Sequence, residues 1–96
     1  MPRPHKARRV EGVPLAFAFK PAGRKGRTLE HVELSLDEWE AIRLADYHSL
    51  YHEDAAQRMQ VSRQTFGNIV TSARNKIAQA LVEGKMLVIH NRLPGG

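Results

Sequence analysis

The stretch from Ser62 to Gly84 constrains this chain more than any other. It holds no proline, opens on a serine suited to cap a helix, and closes on a glycine placed as its C′ residue. A helix is predicted over 63–83. At 100° per residue, with Phe66 at zero, Ile69, Val70, Ala73, Ile77, Ala80 and Leu81 fall within about 60°. That face is expected to be buried, so the rest of the 96-residue chain must assemble against it.

The opposite face is unusual. Between about 140° and 200° stand Gln64, Asn68, Thr71 and Asn75, all uncharged hydrogen-bonding side chains. Solvated helix faces ordinarily favour Glu and Lys. Side-chain amides can bond adenine N6 and N7 bidentately in a major groove. Gly67 borders this stripe, where an absent side chain permits close approach of another surface, although glycine inside a helix costs up to ~1 kcal/mol. Arg63 and Arg74 flank one edge and Lys76 the other, where phosphates would lie.

The remaining elements follow from local chemistry. Residues 1–14 carry three prolines and read as a basic flexible arm. Leu15–Lys20 and Leu29–Ser35 alternate as short strands, separated by a basic loop that holds Arg24, Lys25 and Arg27. Ser35-Leu36-Asp37-Glu38 is a capping box, opening a helix over 36–47 that carries Trp39, Ile42 and Leu44 inward. A second helix spans 52–59. Gln60-Val61-Ser62 breaks the pattern before the long helix. Lys85–Asn91 reads as a terminal strand beside Val32–Leu34, and 92–96 as a tail. The expected fold is mainly α with a small β element (α+β), a single domain over 15–91.

Charge is segregated. Residues 1–27 hold eight Lys/Arg and one acid, 28–54 hold eight acids and one base, and 55–96 hold six bases and one acid. The net charge is +5, and the distribution suggests a surface shaped for a polyanion. Arg3, Lys6, Arg8 and Arg9 in the arm could enter a groove beside the long helix or hold phosphates. Ser62 caps that helix and offers, with Thr65, a terminus able to receive a phosphate.

Other classes find little support. There is no cysteine, so no thiolate cluster or disulfide framework. His48 and His52 are four apart, but a helix break is expected between them, so no metal site is assigned. No nucleophile elbow, phosphate-binding loop or dinucleotide fingerprint occurs, so no enzyme and no cofactor are expected. No apolar run reaches the ~20 residues of a membrane span, and the cytoplasm, at the nucleoid, is the simplest location. Trp39 and the phenylalanines fit a core better than a base-stacking platform.

Two helices joined by a turn of about three residues form a helix-turn-helix pattern. Ala55-Ala56-x-x-Met59-x-Val61-Ser62-Arg63-Gln64-Thr65-Phe66-Gly67, followed by Ala73-Arg74-x-Lys76, resembles the helix-turn-helix of uncharacterised protein family 0251, small prokaryotic proteins predicted to bind DNA. More distantly it is similar to the fourth region of bacterial sigma factors, which reads promoter DNA. The resemblance extends to Met1-Pro-Arg-Pro, to Phe19-Lys20-Pro21-x-Gly23 and to Leu36-Asp37-Glu38-x-Glu40-Ala41-x-Arg43-Leu44-Ala45-Asp46, covering about 1–89. It departs at Tyr51, where a Ser or Thr would cap the second helix, and at Gln60, where the turn commonly has Gly.

The resemblance implies a transcriptional regulator that binds double-stranded DNA. Arg63, Gln64 and Asn68, with Thr71 and Asn75, are the candidates for base contacts. Ser62, Thr65, Arg74, Lys76 and the arm are the candidates for phosphates. The alternative is a protein-interaction module of sigma-factor type, docking on RNA polymerase or another protein through the acidic helix 36–47. A homodimer, paired through the strand Met86–Ile89, is a further expectation.

Overall fold

The computed structural model describes residues 8–90. The arm residues Arg3 and Lys6 and the tail 92–96 lie outside them.

Local capping chemistry sets the helices. Ser35 accepts the Glu38 N–H, and Glu38 Oε1 accepts the Ser35 N–H at 2.9 Å, closing the capping box that starts α1 (Leu36–Ile42). From Arg43 to Tyr47 the chain continues as a π-helical turn rather than as α-helix. The His48 N–H donates to the Arg43 carbonyl five residues back, at 2.9 Å. The expected helix thus reaches Tyr47 with a widened last turn. Helix α2 (His52–Met59) begins at Tyr51 with no side-chain cap, and α3 (Arg63–Glu83) begins at Ser62, whose hydroxyl accepts the Thr65 N–H at 3.0 Å.

Three strands complete the fold: β1 (Ala18–Phe19), β2 (His31–Leu34) and β3 (Met86–Ile89). Their order is β1-β3-β2, with β3 antiparallel to β1 and parallel to β2. The parallel pair needs a long crossover, and all three helices form it. Leu34 pairs with Ile89 and Val32 with Leu87 in register. Val32 and Leu34 face the core while His31 and Glu33 face out. Because β3 is central, its edges are occupied by β1 and β2. It cannot pair with its copy, and the dimer expected through Met86–Ile89 is not available by that route.

Phe66, Ile69 and Val70 of α3 pack with Leu44, Ala55, Ala56 and Met59 in the main cluster; Ala73 packs with Leu34 and Ile89 in a second. The predicted inner stripe of α3 is buried through Ala73 and at Ala80, but Ile77 is only half-buried and Leu81 is 81% exposed. The last turn of α3 meets a groove rather than a packed neighbour. Phe17 and Phe19, expected as core, are also exposed, because β1 is only two residues long and lies at the sheet edge.

The segment expected as a free arm is tied down from Arg8 onward. The Arg9 N–H donates to the Met59 carbonyl at 3.0 Å, and the Glu11 N–H donates to Glu40 Oε2 at 2.9 Å. Gly12 lies so close to Trp39 of α1 and to Arg43 just past it that an added Cβ would overlap the Arg43 side chain and sit 2.9 Å from Trp39. Any larger residue there would displace the Arg43 and Trp39 side chains.

Candidate nucleic-acid interface

The turn between α2 and α3 is held by hydrogen bonds to the end of α2. The Val61 N–H donates to the Ala56 carbonyl at 3.0 Å and the Gln60 N–H to the Gln57 carbonyl at 3.1 Å. This is a Schellman arrangement, and it needs a left-handed residue at position 60. Gln60 takes φ 57° and ψ 44°, a conformation that costs an L-residue about 1–2 kcal/mol. Val61 packs on the core and fixes the direction in which α3 departs.

Helix α3 presents Arg63, Gln64, Asn68, Thr71 and Asn75 to the exterior; all five are exposed. A Cβ built at Gly67 meets nothing within 4 Å. No neighbour within the described chain therefore requires glycine at that position. Arg63 lines a shallow cleft with Tyr51, His52 and Glu53 at the start of α2. Ser62 is committed to its cap: its hydroxyl accepts the Thr65 N–H and donates to Thr65 Oγ1 at 2.9 Å.

Several of the expected phosphate-binding bases are held by carboxylates instead. Arg74 makes a paired contact with Asp46, through Nη2 at 2.8 Å and Nε at 3.1 Å. Lys76 reaches Glu38 at 2.8 Å, and Arg8 bonds Asp37. Arg9 stands 3.5 Å from Glu11 but keeps an exposed side chain beside the α2–α3 turn. Four bases of the basic blocks, Arg8, Arg74, Lys76 and Lys85, are thus partners of the acidic block.

The acids of α1 are turned inward. Asp37, Glu38 and Glu40 are all buried. Burial alone would push Glu38 up, but hydrogen bonds from Lys76, Ser72 and Ser35 outweigh it and hold its carboxyl below the ordinary range. Burial likewise opposes ionisation of Glu40, and the Arg43 guanidinium with the Glu11 and Gly12 N–H groups reverses it. Every fully buried side-chain nitrogen or oxygen among the described residues has a hydrogen-bond partner.

Beyond the capping box and the local Glu40–Arg43 pair, the bonds of this network span 29 to 38 residues, which hides them from the sequence. Its one local sign was the density of acids around a single helix. The histidines diverge: His48 Nε2 lies 3.1 Å from Arg43, whereas the His52 ring packs edge-on against Phe66 at 5.2 Å. No helix among the described residues is long and apolar enough to cross a membrane.

Comparison with known proteins bears on the whole chain. A family model described as Protein of unknown function DUF134 matches residues 1–92. A UPF0251 protein of Syntrophobacter fumaroxidans is 57% identical over 89 residues, covering 93% of this chain and 57% of that protein. A UPF0251 protein of Vibrio vulnificus is 52% identical over 92 residues, 96% of this chain and 92% of its own length. One from Halothermothrix orenii is 51% identical over 96 residues, 100% of this chain and 68% of that protein. The chain therefore spans little more than half of the Syntrophobacter relative but most of the Vibrio one. No solved structure matches it. With a family model running from Met1 to Arg92 and relatives half identical along nearly its full length, the chain belongs to the DUF134 family, whose members here carry the name UPF0251.

Proposed function

We propose that the chain binds double-stranded DNA in a sequence-specific way and acts as a transcriptional regulator, with α2 and α3 working as a helix-turn-helix. Helix α3 enters the major groove. Arg63, Gln64 and Asn68 read base edges, with Thr71 and Asn75 along the same stripe. The exposed Arg9, beside the turn, takes a phosphate. Arg74 and Lys76 reach phosphates only by exchanging Asp46 and Glu38 for them.

One observation carries this reading: an exposed face of amides and hydroxyls interrupted by Gly67, which no internal contact requires. Such a face gives up helix stability and leaves room for close approach. The rival reading, docking of a protein through the acidic helix, has less support, because the carboxylates of α1 are buried and internally paired.

The test is selection from a random duplex pool by the full chain. Enrichment of a common motif is expected. A pool that stays random after repeated rounds at near-physiological salt, where nonspecific phosphate contacts are weakened, would overturn sequence-specific binding.

A further inference from the structure

We propose that the apolar face formed by Val13, Leu15, Phe17, Phe19, Leu81 and Val82 docks a second copy of this chain. These six are exposed: Leu15 at 102%, Leu81 at 81%, Val82 at 82%, Val13 at 75%, Phe19 at 56% and Phe17 at 42%. Four of them line two grooves that share Phe19, and Phe17 and Val82 adjoin Phe19 and Leu81 in the chain. Phe19 lines one groove with Leu81, between β1 and the end of α3, and a second with Val13 and Leu15, beside α1. Contiguous apolar surface of this extent on a small chain marks an interaction site.

Three observations point to a copy of the same chain as the occupant. The first is area. The four groove-lining side chains at these exposures offer on the order of 600 Å², to which the groove walls add, against the ~800 Å² per partner of a stable interface. The second is charge. Two chains of net +5 repel each other wherever their bases lie open, and two of the three bases at the rim of this face are neutralised, Lys20 instead bonding the Arg24 carbonyl. Lys85 is held by Glu83 at 2.9 Å and Glu30 at 3.1 Å, and Arg43 by Glu40 at 2.6 Å. Phe19, between two grooves, also suits a twofold contact in which each copy fills the other's groove.

The third is spacing, and it alone rests on the DNA-binding reading. Asn68 and Leu81 are about 20 Å apart along α3 at 1.5 Å per residue. A twofold axis near Leu81 therefore separates the two reading stripes by up to ~40 Å, which accommodates the ~34 Å between half-sites one turn apart.

The experiment is sedimentation velocity on the full chain without DNA, over micromolar to hundred-micromolar concentrations. The wild type is expected to dimerise. Leu81→Glu and Phe19→Glu alter exposed side chains, so each should keep the wild-type circular dichroism while weakening the dimer at least tenfold. A wild type that stays monomeric across the range overturns the proposal and leaves this face to a different partner. A dimer equally strong in both variants also overturns it, by placing the interface elsewhere. The DNA reading is scored separately: a dimer that this face sustains but that selects no duplex sinks that reading and leaves the docking intact.

Discussion

Gly67 concentrates the argument at the scale of a single residue. A glycine inside an exposed helix is a net cost, and nothing in the described chain needs it there. Gly67→Ala is expected to raise stability by up to ~1 kcal/mol in thermal melts. Gly67→Leu should also fold, since leucine is a good helix former facing open space, yet lower affinity for a selected duplex at least tenfold. If the leucine variant binds like wild type, no surface approaches α3 at this point. The amide stripe was legible in the sequence because it depends only on spacing along one helix. The state of the bases was not. Arg74 and Lys76 looked free by position, and only the fold brings Asp46 and Glu38 to them.

Among the elements, α3 follows its sequence signals closely, because its ends are written in local caps: Ser62 at one end and Gly84, at φ 68°, at the other. The end of α1 was less legible. Its final turn opens into π-helix while Arg43 bonds both Glu40 and His48, a combination no periodicity encodes. The α2–α3 turn yields a direct expectation. Gln60 is strained in its left-handed conformation, whereas glycine is not. Gln60→Gly should gain about 0.5–1 kcal/mol, the relief of strain less the greater freedom of glycine in the unfolded chain. Denaturant unfolding checks it. A loss of stability would mean that the Gln60 side chain makes a contact worth more than the strain.

For the whole molecule, the organising feature is the set of buried carboxylates on α1. They tie the N-terminal segment, through Arg8 and the Glu11 N–H, and α3, through Ser72 and Lys76, to one helix. This explains why a charge pattern that suggested an outward polyanion site is also an internal framework. The sign of its pH dependence is fixed. Glu38 and Glu40 ionise more readily folded than unfolded, so their stabilisation is present above the ordinary glutamate pKa and is lost as pH falls through the folded values. Melting temperature should hold from neutrality to about pH 5 and fall below about pH 4.3. A melting temperature unchanged or rising down to pH 3 would contradict that. Glu40→Ala should cost ~3 kcal/mol in denaturant unfolding at neutral pH, because it strips the carboxylate from Arg43 and the acceptor from the Glu11 N–H.

Asn68→Ala separates base reading by the exposed stripe of α3 from sequence-independent binding. Asn68 is exposed, so alanine should leave folding intact. Binding isotherms for wild type and variant, on the selected duplex and on random duplex, give the answer. A loss of ~1–3 kcal/mol on the selected duplex, with little change on random duplex, is expected. Equal losses on both, or none on either, would contradict base readout by this helix.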